Sequence, residues 1–505
     1  MKRILFLLIT VISLTAMNAQ NITDGLRYSE SDLNGTARFS AMSGAFGALG
    51  GDMSAVGINP AGSAVFLNSS AVVTLSVIDR DNDATYFNNV TNSIDTDLAL
   101  NQAGGVFVFE NPNEDSAFTK FTLGINYDAT RNFDDELFIK GTGNNSISEF
   151  FLAQAQGIPL ELLQLQGGES ISSLYSYLGE TQGTAAQNAF LGYQGFIFDP
   201  VDSDPSNTQY TSNIAPGSFD QEYAYLSTGY NGKFTINFAS QIQNNFYFGI
   251  NLNSHAIDYD QTSYLFEANN NPGSIVNRVG FENNLSVLGS GFSAQFGGIA
   301  KITESFRLGL TFDTPTWYQI SEETTQFLET RRTDNGNSIT EIINPLVINV
   351  YEDYNLRTPG KIAASTAYIF GKKGLISFDY SYKDYSNIEF GYDDDFFFTT
   401  TNTSIENSLK GASTFRLGGE YRINQLSLRG GYRFEESPYQ NENIIGDLNG
   451  FSLGLGYNFG RYNFDLAYAR SEQDRQQRLY DIGLTSSADV TTVNSHVTFS
   501  FGFNF

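Results

Sequence analysis

The last ten residues leave this chain few ways to fold. In His496–Phe505, Val497, Phe499, Phe501, Phe503 and Phe505 take every second place, with His496, Thr498, Ser500, Gly502 and Asn504 between them. Side chains of a strand alternate between two faces, so one face here is wholly apolar and the other polar or small. The pattern recurs along the chain. Phe451, Leu453, Leu455, Tyr457 and Phe459 oppose Ser452, Gly454, Gly456 and Asn458. Phe306, Leu308, Leu310 and Phe312 oppose Arg307, Gly309, Thr311 and Asp313, and Phe246, Phe248, Ile250 and Leu252 oppose Tyr247, Asn251 and Asn253.

Fourteen segments carry such alternation or continue it: 71–79, 103–110, 118–131, 233–241, 245–267, 281–300, 304–328, 340–370, 374–390, 405–423, 425–437, 449–459, 461–471 and 492–505. So many one-sided strands fit an apolar solvent outside and a polar interior. No run of eighteen apolar residues follows the N-terminal segment, so a spanning helix is excluded. The expected fold is all-β, a transmembrane antiparallel barrel of fourteen strands, an even number as bacterial barrels require. Connection lengths sort by parity. Short turns near Pro112, Asn244, Thr303, 371–374, Asn424 and Gly460 follow even strands, and longer segments (80–102, 132–232, 268–280, 329–339, 391–404, 438–448 and 472–491) follow odd ones. Short periplasmic turns and long extracellular loops produce that sorting.

The N-terminus fits export. Lys2 and Arg3 precede a mostly apolar core from Ile4 to Ala16, and Met17-Asn18-Ala19 is a plausible cleavage site, so 1–19 reads as a signal peptide. The expected location is the outer membrane of a Gram-negative cell, with the strand ending in Phe505 as the handle for the barrel-assembly machinery. Aromatics make up 14% of residues and charged residues only 16%, below the share usual in soluble domains. Cysteine is absent, which removes disulfides and thiol chemistry. A net charge of −27 argues against nucleic acid as a partner.

Residues 20–70 carry no sustained period and read as a plug inside the barrel of 71–505. Within them, Gly35-Thr-Ala-Arg-Phe-Ser-Ala-Met-Ser-Gly44-Ala-Phe-Gly-Ala-Leu-Gly-Gly51-Asp-Met-Ser-Ala-Val-Gly-Ile runs into Asn59-Pro60-Ala61-Gly62. This stretch resembles the N-terminal hatch of the FadL/TodX family of outer-membrane hydrocarbon transporters. The resemblance implies passive uptake of hydrophobic compounds such as long-chain fatty acids. Substrate would be captured by extracellular loops, held in a lumen pocket and released sideways at a kinked third strand. It also places Asn59, Pro60, Ala61 and Gly62 in the hatch. The alternative is a general diffusion or structural porin with a plugged lumen.

The long loop 132–232 carries short helical patches. Phe150, Phe151, Ile158, Leu160, Leu162, Leu163 and Leu165 form an apolar cluster at roughly helical spacing, broken by Gly157 and Pro159, with weaker helices at 170–178 and 184–191. Two readings are open and compatible: helices packed over the barrel mouth, or a greasy site that captures fatty acids, hydrocarbons or detergent-like lipids. Asp393–Asp395 followed by Phe396–Phe398 mark another loop: the rings either line the mouth or anchor at the outer-membrane lipid interface, and the acidic triplet is either solvated or holds a divalent cation among lipopolysaccharide. The lumen-side charges Arg307, Lys361, Asp379, Lys383, Arg416, Glu420, Arg422, Arg429, Arg433 and Asp465 are expected to pair across the wall and hold the plug. Gly104, Gly105 and Gly124 are candidates for a bend. His255 and His496 stand beside no nucleophile motif or zinc spacing, so no enzyme, metal site or cofactor is expected.

Overall fold

The computed structural model describes residues 21–113, 115–391 and 396–505; the expected signal peptide and the acidic triplet Asp393–Asp395 lie outside the described residues. Fourteen antiparallel wall strands form one closed sheet. They are β1 (Ser70–Tyr86), β2 (Asn89–Glu110), β3 (Phe118–Asn132, continued by Asp135–Gly143), β4 (Phe219–Ile242), β5 (Phe246–Ala268), β6 (Val276–Lys301) and β7 (Phe306–Asp313 with Trp317–Asp334). Then come β8 (Asn337–Ile343, Asn349–Val350, Tyr354–Arg357 and Lys361–Ile369), β9 (Gly374–Asp384 with Glu389–Phe390), β10 (Gly411–Ile423), β11 (Leu426–Glu435), β12 (Leu448–Asn458), β13 (Tyr462–Arg478) and β14 (Ser487–Asn504). The ring closes where β1 pairs with β14, from Ser70 opposite Asn504 to Thr85 opposite Asp489. Phe505 donates its amide to the Ser69 carbonyl at 2.9 Å.

The period-two pattern becomes the wall as expected. On β14 Phe499 and Phe501 face out while Thr498 and Ser500 are buried; on β5 Phe248, Ile250 and Leu252 face out while Asn251 and Asn253 are buried. This band ends at a definite height. On β7 the outward series Leu308, Leu310, Phe312, Trp317 gives way to Gln319, Ser321 and Glu323. Trp317, the chain's single tryptophan, sits at that change, where an amphipathic ring suits the membrane interface. Above it the faces swap. Ile257, Tyr259 and Leu265 on β5, and Ile320 and Leu328 on β7, are buried inside, while Asp258 and Asp260 are exposed outside.

The strands overshoot the band, and this corrects several boundaries. The expected loop 80–102 does not exist: β1 and β2 run on to a two-residue turn, Phe87–Asn88, both at positive φ. Residues 329–339 are likewise a tight turn at Asn335–Gly336, both at positive φ, joining β7 to β8. Such turns match the twist of the strands they join. The third strand continues to Gly143 and the fourth begins at Phe219, so the insertion between them is shorter than 132–232. The first residues assigned to the tenth strand form a helix, α7 (Thr399–Ser408). The short turns after even strands stand as expected.

Within the insertion, α4 (Ser148–Ala155), α5 (Ile171–Gln182) and α6 (Thr184–Gln194) pack with a small hairpin of Phe198–Pro200 and Tyr210–Ser212. The segment after Pro159 is one 3-10 turn, Leu160–Leu162, too short to form a second packed helix. Leu265, Phe281, Leu328 and Val490 of the wall join the same apolar cluster. The buried Glu267 fastens the insertion to β5, accepting from Ser146 Oγ at 2.5 Å and the Ile147 amide at 2.8 Å.

Candidate functional site

Residues 21–66 lie inside the barrel as α1 (Ile22–Arg27), α2 (Ala37–Ser40), α3 (Met53–Ile58) and the 3-10 turn Pro60–Val65. A segment this polar in its backbone needs partners, and the wall supplies them. The Phe46 and Gly47 amides donate to the Asp379 carboxylate at 2.9 and 2.8 Å, and the Ala37 amide to Ser500 Oγ at 2.7 Å. Asn237 and Asn251 donate to the Pro60 and Val56 carbonyls, and Arg307 to the Leu49 carbonyl at 2.9 Å. Glu420, its side chain fully buried, gathers Arg38, Arg422 and Arg429, and Arg429 also reaches Asp465 at 2.6 Å. Arg416 and Arg433 share Glu435, Lys361 meets Asp313, and Lys383 donates to the Ser29 carbonyl. The lumen charges therefore pair across the wall and hold the N-terminal segment.

Wall glycines make the seat. A Cβ at Gly249, Gly297, Gly309, Gly431 or Gly454 would come under 3.0 Å from Pro60, Asn59, Gly47, Met42 or Ala41 respectively. The sequence carried that signal, because an isolated glycine inside a strand marks close approach of another backbone. Asn59 caps the turn that follows it, accepting from the Ala61 amide at 3.1 Å and donating to the Gly47 carbonyl at 2.7 Å. Asp52 caps α3 and accepts from Thr36 Oγ1 at 2.7 Å; burial raises its carboxyl above the ordinary value, against the pull of Arg38.

Above this segment and below the insertion lies a cavity of about 1340 Å³. Leu33, Phe39 and Ile58 line its floor, and Phe150 and Gln154 reach it from the insertion. Tyr223, Tyr225, Tyr318, Tyr385, Tyr439 and Tyr480 stand around it, and burial pushes the Tyr439 hydroxyl up to about 12. Of the residues assigned to ligand capture, Phe150 borders the cavity; Phe151, Leu160 and Leu163 are buried in the insertion's own cluster, Ile158 and Leu162 pack against it, and Leu165 is exposed. Phe398 packs on Tyr354 and Phe390, while Phe397 is exposed. Among the described residues, no group of His, Asp and Glu side chains could hold a metal ion.

The cavity reaches a break in the wall. Pairing of β2 with β3 runs from Glu110 opposite Lys120 to Gln102 opposite Asp128 and stops. Gly104, Gly105 and Gly124 lie within the regular ladder, so the departure begins beyond them. Thr130 is a bulge against β4, and its carbonyl accepts from the Asp32 amide at 2.8 Å. Arg131 pairs with Glu30 at 2.6 Å. Past the break, Asp135–Gly143 lies against buried side chains of β1 and β2: Asn82 donates to the Glu136 carbonyl, and the Phe138 amide to Ser93 Oγ. Ala129, Thr130 and Arg131 line the cavity at this point. Register placed this break, and register is not written in any single segment.

The chain shares its fold with solved barrels. It is similar to a FadL homologue of Pseudomonas aeruginosa, at 12% identity and TM-score 0.53, covering 94% of this chain and 100% of that one. It is similar to the toluene transporter TodX of Pseudomonas putida, at 13% identity and TM-score 0.52, with the same coverage. Comparison with curated proteins gives no match. Residues 206–505 match the family described as outer membrane protein transport protein (OMPP1/FadL/TodX). The chain belongs to that family, and its barrel is one of the outer membrane.

Proposed function

We propose that this protein carries hydrophobic compounds, fatty acids or hydrocarbons among them, passively into the outer membrane. The insertion around Phe150 captures the compound, the cavity holds it, and the unpaired stretch between β2 and β3 releases it sideways. The observation that carries this reading is the ladder break at Gln102 and Asp128, met from inside by cavity-lining residues Ala129–Arg131. An aqueous pore has no use for a gap in its wall, whereas an apolar solute leaving for lipid does. Residues 21–66 act as the hatch, with Asn59, Pro60, Ala61 and Gly62 seated on β5 and β6. The closing strand with Phe505 serves recognition by the assembly machinery.

The test bridges the break. Asp97 and Asn132 touch across it, Asn132 Nδ2 to Asp97 Oδ2 at 3.4 Å. The chain has no cysteine, so Asp97→Cys with Asn132→Cys can be joined by a short thiol-reactive linker without side reactions. Uptake of a labelled hydrocarbon by cells should fall in the linked form and persist in the unlinked one. Equal uptake in both would reject lateral release.

A further inference from the structure

A wall niche above β4 to β7 holds polar atoms that the fold leaves without partners. Asn231 on β4 donates Nδ2 to the Tyr318 hydroxyl at 3.2 Å, but its Oδ1 is buried and unpartnered. His255 on β5 meets Ser293 Oγ through Nε2 at 2.8 Å, and its Nδ1 is buried and unpartnered. Both residues are at least nine-tenths buried, and both line the cavity. Register places Asn231 opposite Ile257 and Lys233 opposite His255, so the two are diagonal neighbours on one face. The His255 ring stands edge-on to Tyr318, with centroids 5.6 Å apart.

Hydrogen bonding assigns their roles. Asn253 Oδ1 accepts from Thr235, and its Nδ2 donates to Ser293 Oγ at 3.2 Å. Ser293 accepts from Asn253, and giving its one hydrogen to His255 Nε2 satisfies both groups; we take that tautomer, with the ring proton on Nδ1. The niche then offers two unused donor hydrogens, on His255 Nδ1 and on the Tyr318 hydroxyl, and one unused acceptor, Asn231 Oδ1. A buried polar group without a partner is costly, so a pair of them on residues that line a cavity calls for a ligand that answers both. A carboxylate would answer the donors but is repelled by the amide oxygen, which it leaves unpartnered. Lys233, opposite His255 in the ladder, already faces Asp128 at 3.9 Å. A hydroxyl both donates and accepts.

We infer that the Asn231–His255–Tyr318 niche recognises a neutral hydroxyl group on an otherwise apolar cargo: an alcohol or phenol, rather than a free acid. This rests on the transport reading above and narrows its substrate class. The apolar floor of Leu33, Phe39 and Ile58 would take the body of the molecule.

The test measures binding of four ten-carbon probes to the purified full-length protein by calorimetry: 1-decanol, decane, a methyl ether of matched length and decanoate. Decanol should bind about tenfold or more tighter than decane, and tighter than the ether, which lacks the donor hydrogen. In Asn231→Leu with His255→Phe that preference should vanish while decane still binds, with heat-resistant migration on gels as the check that the barrel is folded. Decanol equal to decane or to the ether in the wild type, decanoate the tightest ligand, or an unchanged preference in the folded variant would each overturn the inference and leave the transport reading standing. Binding of none of the four would reject both. The wild-type comparison decides the matter even where the double variant fails to fold.

Discussion

The two halves of this barrel are built on opposite rules. In the membrane band the outside is greasy and the inside polar: Leu310 faces out and Thr311 faces the N-terminal segment. A few residues further up the same strand, Ile320 and Leu328 are buried inside and Ser321 and Glu323 are exposed outside. The upper half is therefore an ordinary water-soluble domain with an apolar core, completed by α4 to α6. The lower half has only smaller apolar clusters, such as Leu33, Phe39, Met42 and Phe46 of the N-terminal segment, and is ordered as well by lipid, hydrogen bonds and ion pairs. The solvent changes at Trp317, and the sequence changes its pattern with it.

The contrast can be broken, beginning with the largest effect. Removing residues 20–70 should empty the polar lower lumen while leaving the upper core in place. Leakage of small polar solutes through reconstituted vesicles should rise sharply, and unchanged leakage would favour a lumen blocked by the insertion alone. Phe151→Ala strikes the upper core. Its ring lies 5.1 Å from Phe281 and is fully buried, so the loss should be about 3–5 kcal/mol, read from denaturant unfolding in lipid vesicles. A charge on the lipid face tests the lower half: Leu310→Arg should cost about 2–4 kcal/mol. The same arginine at Glu323, above the girdle, should cost only about 0–1 kcal/mol. Equal costs at both sites would place the membrane boundary elsewhere.

This contrast also explains what the sequence could and could not disclose. Strands inside the band were legible, because lipid on one side and a packed segment on the other force strict alternation. Phe499, Phe501 and Ile250 needed nothing else. The outer part of β1 does not read as a strand because the alternation reverses phase there: Asp81 and Asp83 replace the outward valines, and Ala84 and Tyr86 turn inward, whereas on β2 Val90, Ile94 and Leu98 still face out among polar residues. The expected loop 329–339 overlooks the Asn335-Gly336 pair, which between strands is a strong hairpin signal. Helices near 170–178 and 184–191 appear as α5 and α6. The lumen charges were legible as a set, although Glu420 as their hub was not, since Arg38 comes to it from a distant part of the chain to join its near neighbours Arg422 and Arg429. The Asn231 and His255 niche was illegible for the same reason. Its meaning lies in which hydrogen bonds are missing, and that requires all neighbouring strands in register.

One consequence follows from the meeting of β1 and β14. The partner of the first strand is made only after the twelve strands between them, so the seam cannot be sewn until the rest of the wall has been synthesised. Until then both margins of the sheet are bare, and either can stick to a stranger. Pairing between sequence neighbours is quick to find, but this one spans every other strand of the wall. A truncated product would thus be a hazard to the cell rather than a smaller pore, and a chaperoned passage to the bilayer is built into the topology.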